Sequence, residues 1–446
     1  MIETKVVWFK DLDKWSLGDE LLSSKFPLRY FGEFLFCEKV IFEELNPKKE
    51  YQILGVRTYG AGVFFSKLVK GECLITKTTK KYQKIKENML FWCKVDTKNG
   101  AFGVTSKEHE ICYASHNMIQ ARIDTDIVLP KFLQFMFSCK FIQNFLDSKV
   151  VGTTNRKYIS FNDLKEIQIP LPPMEIQNKI VADIEEIQNK IKALQKQEKE
   201  LKDEIERYIY IALGLEKEQK AEQKKAFVVE FKNLNRWDVA YNQNTKINNV
   251  SYKYNIKELN NLCYINPNVD FKGLIKEDKS VSFLPMDSVE NDGKTFYPKS
   301  KKANENKGFM KFQNNDLLWA KITPCMQNKK SLIVNNLENG YGFGSTEFFV
   351  LRPKDLSEVD MKFILEFLRT DYVIEKAKET FKGSAGQQRV PKEFLEDLQI
   401  PLPPLNIQKE IVNFVENKKR VIKENQIKII DLTKEINNTI DKIFVS

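Results

Sequence analysis

Two short polar stretches carry the side chains best suited to reading a base. GTTNRKYIS (residues 152–160) and GSAGQQRVP (residues 383–391) each open on a glycine and run through hydroxyl, amide and guanidinium groups. Arg and Gln reach the edges of G and A with paired hydrogen bonds in a major groove. The candidates are Asn155, Arg156 and Lys157 in one stretch and Gln387, Gln388 and Arg389 in the other. A polar surface loop is the competing reading. A second matched pair is Lys94 and Lys321, each two residues after a tryptophan in NMLFWCKV (residues 88–95) and NDLLWAKI (residues 315–322). A lysine at a strand end suits a phosphate or base contact; a solvated edge charge is the plainer alternative. His116, Asn117, Gln327, Lys329, Ser345 and Thr346 complete the nucleic-acid-contact candidates.

No constellation for catalysis stands out. Gly340-Tyr341-Gly342-Phe343-Gly344 is glycine-rich, but it precedes a strand with no following helix, so it reads as a turn and not a dinucleotide site. There is no GxxxxGKS/T phosphate loop, no Asn/Asp-Pro-Pro-aromatic run of an amino-methyltransferase, and no clustered Asp/Glu/Lys set of a nuclease. His109 and His116 are the two histidines, and the seven cysteines form no CxxC pair, which argues against a structural zinc site.

The elements that must position these residues come in two copies. LKEIQIPLPPMEIQNKI starts at Leu164 and LEDLQIPLPPLNIQKEI at Leu395, with Pro170 and Pro401 separated by 231 residues. Pro170, Pro172 and Pro173, like Pro401, Pro403 and Pro404, remove backbone donors and fix φ, so each motif marks where a globular unit stops and a helix starts. Past the first motif, apolar residues fall on a heptad frame at Ile180, Ile184, Ile187, Ile191, Leu194, Leu201, Ile205, Tyr208 and Ala212, with Glu198 in the missing step. Past the second come Ile411, Val415, Ile422, Ile429, Leu432, Ile436 and Ile443, with Lys418, Asn425 and Thr439 as polar exceptions. Two seams in one chain most simply pair with each other. The first spans roughly 48 Å at 1.5 Å per residue. Leu201→Ala or Leu432→Ala is expected to cost ~2–5 kcal/mol if both seams are buried.

At 446 residues the chain holds two to three domains with real cores. Its net charge of +10 is unevenly placed: residues 1–173 carry +6, residues 223–404 carry +5, and the helical remainder −1. Cationic globular units favour a polyanionic partner. The opening Met1 to Lys10 has no apolar signal segment, and no run approaches membrane length, so the scattered cysteines read as reduced thiols in a cytoplasm.

Smaller repeats fill the units. FKDLDKWSL (residues 9–17) matches FKNLNRWDV (residues 231–239), and YASHNMIQAR (residues 113–122) matches FGSTEFFVLR (residues 343–352). Strands are expected at Gln52–Val56, Cys73–Thr76, Met89–Val95 and Met118–Ile123. Residues 128–146 and 359–377 read as amphipathic helices on the sheet, and the charged stretch 214–226 as a linker.

The two IPLPPxxIQ runs with their helices, KNGAFGV (residues 98–104), DLLWAKITPCMQN (residues 316–328), GSTEFFVLRP (residues 344–353) and the loops from Gly152 and Gly383 together resemble the specificity subunit of type I restriction–modification systems. The resemblance covers nearly the whole chain, and the doubled Pro-helix motif is its most specific part. It implies an α+β fold: two globular target recognition domains, each a small sheet plus helices, joined by two long helices forming an antiparallel coiled coil with pseudo-twofold symmetry. The expected domains are residues 1–173 and 223–404 for recognition, 174–222 for the central helix and linker, and 405–446 for the C-terminal helix.

The resemblance further implies that each domain reads one half of a split site in double-stranded DNA. The coiled coil would act as a ruler of about one DNA turn, ~34–36 Å, and dock two methyltransferase subunits. Restriction/translocase subunits can join. The chain itself is then non-catalytic and binds no cofactor or metal; S-adenosylmethionine, ATP and Mg²⁺ serve its partners. Where the first unit has His116-Asn117-Met118 the second has Thr346-Glu347-Phe348, a difference that two unlike half-sites require. The alternatives are a coiled-coil scaffold that reads no sequence and a self-contained methyltransferase or nuclease.

Overall fold

The computed structural model describes residues 26–76, 80–94, 100–139, 142–143, 146, 151–153, 156–215, 253–384 and 386–444, without the side chains of 151–153, 156–158, 443 and 444. The matched openings at 9–17 and 231–239 and the linker beyond Leu215 lie outside the described residues. The chain forms two compact units, one of residues 1–195 and 426–446 and the other of residues 196–425. The units therefore divide within the long helices and not at the Pro-rich steps.

In the first unit a four-stranded sheet runs in the order Leu35–Cys37, Met118–Ile123, Met89–Cys93, Phe102–Val104. Beside it a five-stranded sheet runs Phe42–Glu44, Lys81–Lys84, Cys112–Ala114, Glu50–Val56, Val63–Lys70. Helix Pro130–Ser138 starts with its proline at the first turn, where no amide partner is needed. It buries Phe132, Leu133, Met136 and Phe137 in one core with Trp92 and Phe102.

The second unit repeats this plan. One four-stranded sheet runs Cys263–Ile265, Phe348–Pro353, Leu317–Ala320, Ser331–Ile333, and the other runs Lys299–Lys302, Ser280–Leu284, Tyr341–Gly344, Met310–Gln313. The duplication extends to register. Ile119 pairs with Trp92 as Phe349 pairs with Trp319. Among the described residues each unit also has one parallel strand pair, with Gln52 opposite Cys112 and Ser282 opposite Gly342.

Both Pro-rich steps fold alike. Gln168–Pro170 pairs antiparallel with Leu28–Tyr30, and Gln399–Pro401 with Ile256–Glu258. The long helices then run Met174–Leu213 and Leu405–Phe444. Their entry is held by a buried glutamine of the IPLPPxxIQ motif, whose burial has no signature in the sequence spacing. Gln177 Nε2 donates to the carbonyls of Pro172 and Ile127 at 2.9 and 3.0 Å, and its Oε1 accepts from the Leu129 amide at 2.9 Å. Gln408 does the same with Pro403, Glu358 and Asp360 at 2.8, 3.0 and 2.8 Å. Each glutamine thus ties the helix start to the approach of the short helix that packs on the sheet.

Within each unit the two long helices run antiparallel. In the first unit Ile184 and Ile440 share one core, with Ile180 and Ile436 packed against it. In the second unit Tyr208 stacks on Phe414 with ring centroids 3.8 Å apart, and Asn425 donates to Gln197 at 2.8 Å. Early residues of one helix meet late residues of the other in both places. The seam positions Ile180, Ile184, Ile187, Ile191, Leu194, Leu201, Ile205, Ile411, Val415, Ile422, Ile429, Leu432 and Ile436 are all buried or half-buried. Asn425, a polar exception on the heptad frame, is 3 % exposed and satisfied by its glutamine partner.

Several expectations need correction. Cys73–Thr76 is not a strand: Gly71–Leu74 forms a helical turn closed by the Ile75 amide donating to the Gly71 carbonyl at 2.9 Å, and Gly71 seats so close to the Asn46 carbonyl that a Cβ would lie 2.2 Å from its oxygen. Tyr341–Gly344 is not a turn but a central strand, where Gly342 and Gly344 admit the Phe312 ring and the Leu284 carbonyl. The segment 359–377 forms two helices, Met361–Leu368 and Asp371–Glu379, broken where Thr370 caps the second. The stretch opening at Gly152 is a hairpin of Val151–Thr153 with Arg156–Tyr158. The Trp92 strand ends at Cys93.

Candidate nucleic-acid interface

In the second unit three segments converge at the end of the Trp319 strand. The Lys321 amide donates to the Glu347 carbonyl at 2.9 Å, the Val390 amide to the Lys321 carbonyl at 2.9 Å, and the Thr323 amide to the Gln388 carbonyl at 2.9 Å. Lys382 and Arg389 exchange backbone bonds of 3.0 and 2.9 Å that close the loop from Gly383. Main-chain bonds thus place Lys321, Ser345, Thr346, Gln387, Gln388 and Arg389 together. Thr346 and Gln387 are exposed, Ser345 and Gln388 half-buried. Gln327 is exposed beside Thr323, whose hydroxyl donates to its Oε1 at 2.7 Å. Lys321 holds its ammonium 5.2 Å from the centroid of the Phe349 ring.

Two candidates are engaged within the protein itself. Arg389 is not an open fork: its Nε and Nη2 donate to Glu347 at 2.9–3.1 Å and its Nη1 to the Gln387 carbonyl at 2.9 Å. In this structure the guanidinium braces the loop that displays Gln387 and Gln388. Lys329 lies at φ +59°, with its ammonium 2.7 Å from Asp371 and 3.8 Å from Glu206. Its carbonyl accepts from the buried Arg369 guanidinium, which also donates to the Asn291 carbonyl at 2.6 Å. Lys329 is therefore an anchor of its turn. Burial raises the Glu206 carboxyl above its ordinary range, and Lys329 only partly offsets this.

The first unit repeats the central bond, with the Lys94 amide donating to the Asn117 carbonyl at 2.8 Å. Lys94, His116 and Asn117 are exposed together at that strand end. Arg156 and Lys157 lie in the hairpin strand Arg156–Tyr158, and Asn155 is outside the described residues. Glu347 takes the repeat position of Asn117, and this mismatch was the available signal that Arg389 has an intramolecular partner.

Duplicated α+β units, each closed by halves of two long antiparallel helices, define the class of protein. The family described as "Type I restriction modification DNA specificity domain" matches residues 25–207 and 239–441, and the chain belongs to it. Two curated relatives are the EcoAI and EcoEI type I restriction enzyme specificity subunits of Escherichia coli. They are 36 % identical over 157 residues and 35 % identical over 156 residues. Each alignment covers 34 % of this chain, and the chain spans 26 % of the length of either relative. Among solved structures, a chain from work on complex assembly and conformational transition of the type I R-M system superposes with a TM-score of 0.54 at 15 % identity. That superposition covers 95 % of this chain and 99 % of the other, and shows a shared fold. Among the described residues no helix is long and apolar enough to cross a membrane.

Proposed function

We propose that this chain is the DNA-recognition subunit of a type I restriction–modification complex. Each unit reads one half of a bipartite site in double-stranded DNA. The observation that carries this is the loop cluster of the second unit, where backbone bonds gather amide, hydroxyl and ammonium groups at one strand end and an internal ion pair holds the loop in shape. Preformed donors and acceptors of this kind suit base edges better than a loop that must first be ordered. The paired helices dock methyltransferase subunits, and chemistry with S-adenosylmethionine, ATP and Mg²⁺ resides in those partners and in any restriction subunit that joins. The chain works in the cytoplasm and binds no cofactor.

The test is methylation mapping of DNA modified by the full-length chain assembled with type I modification subunits. A two-part methylated motif is expected. Gln387→Ala with Gln388→Ala should relax one half of that motif and leave the other intact. A chain that assembles yet directs methylation to no particular sequence would be a scaffold instead.

A further inference from the structure

In the first unit, strands Glu50–Val56 and Val63–Lys70 are joined by Arg57-Thr58-Tyr59-Gly60-Ala61-Gly62. The turn is closed by the Arg57 amide donating to the Gly62 carbonyl at 2.9 Å. Tyr59 lies at φ +58°, a left-handed conformation that glycine adopts freely and a bulky side chain rarely does. The residue is 63 % exposed, so burial does not offset the strain. A strained backbone that displays an aromatic ring to solvent points to a use for the ring.

The turn is also fixed in place. The Gly60 amide donates to the Gly100 carbonyl at 2.7 Å, and the Gly60 carbonyl accepts from Gln134 Nε2 at 2.6 Å. A Cβ on Gly60 would lie 2.0 Å from the Phe137 carbonyl oxygen, so only glycine permits this seat. Gly100 lies two residues before Phe102, the start of the Phe102–Val104 strand, and that strand pairs with Met89–Cys93, after which Lys94 follows. The turn therefore stands at the same sheet end as Lys94, His116 and Asn117. Arg57 is exposed, and among the described residues no carboxylate forms an ion pair with it; its guanidinium lies 5.5 Å from the Phe64 ring centroid.

The second unit differs at this place. By the shared parallel register, its equivalent connection follows Ser280–Leu284 and carries Asp287, Glu290 and Asp292 along with Lys294 and the exposed Tyr297. That connection holds three carboxylates where the turn of the first unit holds none, a difference that fits two unlike half-sites.

We propose that Arg57, Thr58 and Tyr59 form a specificity-determining DNA contact of the first unit, with Arg57 meeting a phosphate or guanine edge and the Tyr59 ring packing into the groove. This rests on the reading of the chain as a DNA-recognition subunit. The test uses the full-length chain assembled with type I modification subunits, read by methylation mapping and by affinity for the mapped site at fixed salt. Tyr59→Gly removes the ring while relaxing the backbone, so folding is not at risk; Arg57→Ala removes the charge. Both should cut discrimination at one half-site at least tenfold, with the other half unchanged and the melting temperature not lowered. If the unmodified chain shows a two-part motif and both variants leave it unchanged, or weaken both halves alike, the turn has no such role and the DNA reading still stands. If the unmodified chain shows no two-part motif, the DNA reading itself fails and the turn's role with it.

Discussion

Gln177 donates through Nε2 to the carbonyl of Pro172 at 2.9 Å, from a site that is fully buried. The same side chain satisfies Ile127 and Leu129, and Gln408 repeats the arrangement in the second unit. Truncation leaves buried backbone groups without partners. Gln177→Ala or Gln408→Ala should each lower stability by about 2–4 kcal/mol, measured by urea unfolding. An unchanged midpoint would mean that water replaces the amide at no cost.

Seam residues differ in depth, and their truncation costs should differ in the same order. Ile184 is fully buried, whereas Leu201 and Leu432 are half-buried. Ile184→Ala should cost about 2–5 kcal/mol, but Leu201→Ala and Leu432→Ala only about 1–2 kcal/mol. The two half-buried positions thus fall below the expectation for a fully covered seam. Thermal melting of the three variants checks the ranking.

Glu347 neutralises Arg389 at the candidate interface. Glu347→Gln would release a cationic side chain toward bound DNA. It should steepen the dependence of log affinity on log salt concentration by about one unit, while Lys321→Ala should flatten it by about one. A salt titration of binding to a single duplex distinguishes the two. No change in slope for Glu347→Gln would place Arg389 away from the phosphates.

Burial raises the pKa of Glu206 in the folded protein. A carboxyl with a raised folded pKa binds its proton more tightly in the folded than in the unfolded chain. Its contribution is fully present below the unfolded pKa and is lost as pH rises through the folded one. Glu206→Gln should flatten that decline across the acidic side of neutrality. Unfolding free energies of both chains, measured from low pH to neutrality, test the sign.

The long helices and the duplication were legible because heptad spacing and paired prolines act locally. Seam positions such as Ile187 and Val415 needed no tertiary information. Tyr341–Gly344 was misread because glycines usually mark turns; there they make room for the Phe312 ring and the Leu284 carbonyl, which come from distant strands. Lys329 and Arg389 look like available cations in sequence. Their partners Asp371 and Glu347 lie 42 residues away in each case, and only folding brings the charges together. The strained Tyr59 likewise has no signature in residue type.

Ile440 completes the core that Ile184 begins, although the two lie 256 residues apart in the sequence. During synthesis the sheets and the helix Pro130–Ser138 emerge long before the segment that seals them. The unit translated first is therefore the last to close. Until the ribosome delivers residues 426–446, Ile184 and its neighbours must wait uncovered, and a chain stopped before them would release that sticky flank to whatever helix it meets.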